Sequence, residues 1–170
     1  MEMISDREHI LLAVIDRLRI IRATDAAWLA GYTDYTYCRK CLRKLCDMGL
    51  LQICRDSAGS NCYYLSGRGL AVLGKQTSHT YEVSATTHHA LVVGRVCAWL
   101  RHTEGASPGE LLTDSVLRSK GDKQRHRPDI VFRGHAYEIE LNHKPLSLLE
   151  KNIRDNSSYQ KQIWITPDNR

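Results

Sequence analysis

The stretch DYTYCRKCLRKLCDMG at residues 34–49, followed by LLQICRDSAGSNCYYL at 50–65, decides the fold. Asp34 carries the short carboxylate that caps a helix start, and Gly49 supplies the residue that stops one. Between them Tyr37, Cys41, Leu45 and Met48 recur at helical spacing and are predicted to face inward. Arg39, Lys40, Arg43 and Lys44 then occupy the other side. Residues 50–55 read as a strand, Asp56 to Asn61 as a Ser/Gly-rich turn, and Cys62 to Leu65 as the returning strand, which makes a hairpin.

Upstream, Ser5-Asp6-Arg7-Glu8 matches a capping box, and Ile10, Leu11, Val14, Ile15 and Leu18 continue it as one apolar face. Thr24 is placed to cap a second, short helix holding Trp28 and Leu29, stopped by Gly31. Three helices followed by a two-stranded hairpin is the order of a winged helix-turn-helix, with the third helix for recognition and residues 56–61 as the wing. The exposed side of such a helix meets bases and phosphates. Tyr35, Thr36, Arg39, Lys40, Arg43 and Lys44 are therefore the candidate contacts to double-stranded DNA. Ser66 to Gly74 is expected to close the unit as a short helix.

Composition narrows the partners. The 170 residues carry 24 Lys plus Arg against 19 Asp plus Glu, a formal +5 that permits an anionic partner. A large multidomain enzyme is excluded by length. No apolar run is long enough to cross a bilayer and no signal pattern leads the chain, so a cytoplasmic protein with free thiols and no membrane insertion is expected. Cys38-x-x-Cys41 with Cys46 and Cys54 invites a zinc reading, but these residues fall at helical spacing and suit small core positions. His88-His89 is read as a helix start, and Tyr32, Tyr35 and Tyr37 lack any neighbour that would activate a nucleophile.

Residues 75–86 lose apolar periodicity and are read as a linker between a domain at 1–74 and a second at 87–170. A helix is expected from Thr87 to about His102, then a basic loop at 119–127, strands at 130–132 and 136–141, a helix opened by a Ser147/Glu150 capping box, and a last strand at 162–166. The chemistry-bearing segment is Pro128-Asp129, a turn, then Glu138-Ile139-Glu140 and Lys144. Strand alternation puts Glu138 and Glu140 on one face, with Asp129 able to approach from the adjoining strand. Carboxylates so gathered repel one another, and a divalent ion relieves that by coordination while it polarises a phosphodiester. The competing reading of the same residues is the solvated face of an antiparallel sheet.

This segment resembles the PD-(D/E)XK nuclease superfamily, which places an Asp after Pro and an acidic-x-Lys on the next strand. Here Glu140 stands where Lys is usual, as in some restriction enzymes of that superfamily. A second register, Glu140-Leu141-Asn142, leaves Asp129 and Glu140 as ligands. Taken whole, the chain resembles the replication-relaxation family of plasmid proteins and the related restriction-enzyme-like mobilisation relaxases. The residues carrying this likeness are Tyr63 to Gly69, the His88/His89-led helix, Thr113-Asp114 with Leu117-Arg118, His126-Arg127-Pro128-Asp129, and Tyr137 to Glu140.

The resemblance implies an α+β protein, a winged helix-turn-helix followed by a restriction-endonuclease-like unit, that binds plasmid DNA alongside other transfer or relaxosome proteins. It further implies metal-dependent nicking with Mg2+ or Mn2+ at Asp129, Glu138 and Glu140, with Lys144 supplying the missing cation. The competing expectation is a catalytically inactive DNA-binding regulator or relaxosome accessory factor.

Overall fold

Ser5 accepts a hydrogen bond from the Glu8 backbone N–H at 3.3 Å and Glu8 accepts from the Ser5 N–H at 2.8 Å, so α1 (Asp6–Leu18) begins where the capping box places it. Its inner face is Leu11, Leu12, Val14, Ile15 and Leu18, while Ile10 is half exposed. The computed structural model describes residues 3–76, 80–121, 126–142 and 144–167. It is mixed α+β and divides into two compact units, Met1–Pro108 and Gly109–Arg170.

In the first unit Arg19, at φ 69°, reverses the chain into β1 (Ile20–Arg22), a strand not expected from the sequence. The second helix, α2 (Ala23–Leu29), follows directly and has no side-chain cap. Thr24 sits inside its first turn, and Gly31 ends it at φ +75°. In α3 (Tyr35–Asp47) the Asp34 carboxylate accepts from the Thr36 N–H at 2.7 Å. Its buried stripe is Cys38, Cys41, Leu42 and Leu45; Tyr37 is 46% exposed and lies beside the Tyr32 ring. Positions at i, i+3, i+4 and i+7 hold one face of a 3.6-residue helix, whereas a run of four-residue steps from Tyr37 drifts off it.

Strands β2 (Leu51–Arg55) and β3 (Asn61–Leu65) form the expected hairpin, its turn held by Asp56 Oδ1, which accepts from the Ala58 and Ser60 N–H groups. The three-stranded antiparallel sheet has the order β1-β3-β2. Ser66 caps α4 (Gly67–Val72) through the Gly69 N–H.

Helix α5 (Thr87–Glu104) belongs to this first unit, packing on α2 and β1, so the division at 75–86 is corrected to one after Pro108. Described residues within the expected linker are tied down. Lys75 pairs with Asp16, and the Tyr81 ring lies 5.8 Å from that of Tyr64 while its hydroxyl meets Thr87 Oγ1 at 2.9 Å. Apolar contact from Leu91 to Ile20 and Cys62 holds α5 to the sheet, and a periodicity read along one segment does not name its partner. All six cysteines are free. Burial pushes the thiols of Cys38 and Cys97 up to about 12, as suits core residues.

The second unit contains β4 (Leu112–Thr113), α6 (Asp114–Ser119), β5 (Ile130–Phe132), β6 (His135–Ile139), α7 (Leu146–Asp155) and β7 (Lys161–Ile165), in a sheet of order β4-β5-β6-β7. Arg133 and Gly134, both at positive φ, make the tight turn between β5 and β6. β7 runs parallel to β6, so α7 is the crossover that such a pairing requires. α7 starts after Pro145 with no side-chain cap; Ser147 already lies inside it, and the expected Ser147/Glu150 box does not open the helix. β4 and α6 escaped the sequence reading because each is too short to display a period.

Candidate functional site

Two groups of predicted residues are placed by these units. On α3, Arg39, Lys40 and Arg43 are exposed and, with Thr36, form one wall of a groove of about 400 Å³ whose other wall is Ile53, Asn61 and Tyr63 of the hairpin. Arg39 lies over the Tyr35 ring at 5.8 Å, a cation–π contact that steadies it at the helix surface. Lys44 departs from this set. Its Nζ turns to Glu8 of α1, 2.9 Å from Oε1. Burial alone would raise the Glu8 carboxyl, but the Ser5 N–H and Lys44 outweigh it and hold the group below its usual value. Lys44 thus pairs at the edge of the core and does not line the groove.

Beside this groove lies a second, of about 640 Å³, into which Arg22, Arg39, Arg55 and Arg95 all project. Arg22 is paired with Asp56 at 2.7 Å and Arg95 with Asp25 at 2.6 Å. Sequence reasoning missed Arg22, Arg55 and Arg95. Arg22 lies in the unexpected strand β1, Arg95 on a helix assigned to the other unit, and Arg55 at the hairpin end, where alternation gives an outward cation no distinguishing mark.

In the second unit the β5–β6 register pairs Ile130 with Tyr137, which sets Asp129 opposite Glu138, one step on, with both side chains on one face. Glu138 is only 3% exposed, so it belongs to no solvated strand face. Its Oε1 meets His126 Nε2 at 2.8 Å and accepts from Asn156 Nδ2 at 2.5 Å, Asn156 being wholly buried. Burial raises the Glu138 carboxyl, the His126 hydrogen bond partly offsets that, and the nearby Asp129 charge raises it again. Asp129 Oδ2 accepts from the Ile139 N–H at 2.7 Å.

Glu140, by contrast, is held by Lys144 at 2.5 Å. Lys144 therefore neutralises a neighbouring carboxylate four residues back. Among the described residues no three His, Cys, Asp or Glu side chains converge as a metal-holding group. Asp129 and Glu138 adjoin, Glu138 Oε1 bonds to His126 and Asn156, and Glu140 is held by Lys144. Residues 122–125 of the basic loop lie outside the described residues; of its remainder, Arg127 pairs with Asp114 at 2.7 Å. His126 and Asn156 were not singled out as partners of Glu138, and Asn156 sits where only the crossover through α7 brings it near β6.

No helix among the described residues is long and apolar enough to cross a membrane. Set against protein-family models and against curated proteins, the sequence matches none.

Proposed function

We propose that this is a duplex-DNA-binding protein whose first unit is a winged helix, with α3 as the recognition helix and the β2–β3 hairpin as the wing. The observation that carries the reading is the groove between α3 and that hairpin, walled by the exposed cations Arg39, Lys40 and Arg43. Supporting it is the element order α1-β1-α2-α3-β2-β3 with sheet order β1-β3-β2, which sets the hairpin beside α3. Arginines and lysines there neutralise phosphates, while Thr36 and Tyr35 at the start of α3 stand where base edges are met.

The second unit is then a scaffold of nuclease type serving a regulator or accessory factor of plasmid DNA processing. Metal-dependent nicking is a second reading, favoured by the adjacency of Asp129 and the buried Glu138. Against that second reading stands the ion pair that holds Glu140 to Lys144.

A gel shift of the protein on its own upstream duplex, over a salt series, tests binding; retention that weakens steeply with salt is expected. Absence of any duplex retention at low salt overturns the proposal. Incubation of supercoiled plasmid with Mg2+ or Mn2+ and with chelator separates the readings. Conversion to open circle that Glu138→Ala abolishes would replace the scaffold reading with the nicking one.

A further inference from the structure

The outer surface of α2 consists of Thr24 and Trp28 alone, every other residue of that helix being buried. On α5 the matching stripe is Arg95, Trp99 and His102, at i, i+4 and i+7. The two stripes are joined at both ends. Arg95 Nη2 reaches Thr24 Oγ1 at 3.4 Å, and the His102 ring lies 4.4 Å from that of Trp28. Arg101 fixes the ledge from beneath, donating from Nε to the Trp28 carbonyl at 2.7 Å. The result is a surface some 10 Å long, from seven residues of helical rise, bearing two indoles that are each 48% exposed.

Isolated apolar residues on a surface are ordinary, but two half-exposed tryptophans flanked by histidine and arginine are a patch that packing within this unit does not require. The ledge is continuous with the arginine groove, because Arg95 lines both. In that groove Arg39 and Arg55 make no ion pair among the described residues. Arg95, the guanidinium beside the indoles, is paired with Asp25, and the unpaired Arg39 and Arg55 line the groove that Arg95 shares with the ledge; flat aromatic rings continuous with such cations suit a ligand that has exposed π faces and phosphates together. A duplex shows only the edges of its bases; an unpaired strand offers both.

We propose that α2 and α5 form a binding ledge for single-stranded DNA, its bases stacking on Trp28 and Trp99 and its phosphates running into the groove of Arg22, Arg39, Arg55 and Arg95. The assignment rests on the DNA-binding reading of the same unit and adds to it a place for a strand that has left the duplex. Bases stack without regard to sequence, so little base preference is expected.

Fluorescence anisotropy of labelled oligothymidylate, beside a labelled duplex, tests this on the full chain. Trp28→Ala and Trp99→Ala should each weaken oligothymidylate roughly tenfold, the size of one lost base stack, and leave duplex affinity within about twofold. Trp28→Phe and Trp99→Phe should restore most of the loss, which a merely misfolded variant would not. Oligothymidylate affinity untouched by both alanine variants, or a wild-type chain that binds duplex and no single strand, overturns the ledge and spares the α3 reading. Single-strand binding lost in the tryptophan variants, with duplex unbound throughout, supports the ledge and overturns the α3 reading. Self-association that Trp28→Ala abolishes, with oligothymidylate unbound, overturns the ledge and makes it a contact between copies.

Discussion

Lys44 of α3 clasps the carboxylate of Glu8 on α1, with Nζ 2.9 Å from Oε1 and 3.1 Å from Oε2. That same carboxylate accepts the Ser5 N–H of the capping box, so one buried acid joins the start of α1 to the last turn of α3. A cation that the sequence places in line with Arg39, Lys40 and Arg43 is therefore spent on orienting the helix that presents them. Lys44→Ala strands a buried acceptor and should cost about 1–3 kcal/mol. Because the Glu8 carboxyl is held below its unfolded value, its contribution is present above that value, near pH 4.5, and is lost as pH falls through the folded one. Urea denaturation at neutral pH and near pH 3 checks this: the gap between wild type and Lys44→Ala should close at the acid end.

Duplex affinity should divide the same four residues differently. Arg39→Ala, Lys40→Ala and Arg43→Ala each remove an exposed cation from the groove wall, so each should reduce the slope of log affinity against log salt by about 1. Stability should move by less than about 0.5 kcal/mol for each, as for most surface changes. Lys44→Ala should leave the slope unchanged when measured where the protein is folded. An equal loss of slope in all four would place Lys44 on the DNA after all.

The contrast between Lys44 and its neighbours marks how far the sequence could be read. Local signals such as the Ser5/Glu8 box, Asp34 and the positive-φ Gly31 fix where helices start and stop, and those positions hold. Which cation turns inward depends on α1 lying beside α3, a relation set by residues far apart in the chain. For the same reason the sequence alone does not assign α5 to its unit. Its stripe is plain in the sequence, but its docking on Ile20 needs β1, a strand of only three residues. Alternation sets Glu138 and Glu140 on one face of an extended segment, but β6 ends at Ile139. What it did not disclose is that His126 and Asn156 reach one of them and Lys144 the other.

Gly69 is a position where no side chain fits. A Cβ there would stand 2.2 Å from the backbone carbonyl oxygen of Leu50, the same oxygen that accepts from the Ser66 N–H at 3.0 Å. The obstacle is backbone already held in a hydrogen bond, so the helix must shift off the sheet. Gly69→Ala should lower stability by about 1–3 kcal/mol or more. Gly59, at the tip of the hairpin with open space around it, is the contrast. Gly59→Ala meets no atom and should suffer only the strain of φ +78°, of order 1 kcal/mol. Thermal unfolding of both variants checks the order, and Gly59→Ala being the worse would refute the packing argument.

Glu138 makes the opposite pH prediction to Glu8. Burial is the largest influence on its carboxyl and raises it; the His126 hydrogen bond offsets part, and Asp129 adds to the rise. A folded-state value above the unfolded one means that the group's contribution is fully present below the unfolded value and is lost as pH rises through the folded one. At neutral pH the buried charge is therefore a cost to the second unit, and Glu138→Gln, which keeps the shape and an acceptor for Asn156, removes it. The variant should match wild type near pH 4 and exceed it at pH 7.5. Trp164, paired with Glu138 across β6 and β7, is a local reporter once Trp28 and Trp99 are changed to Phe. A variant less stable than wild type at pH 7.5 would mean that the hydrogen bonds from His126 and Asn156 to the ionised carboxylate outweigh its burial. Glu138 would then be a charge held in place for use.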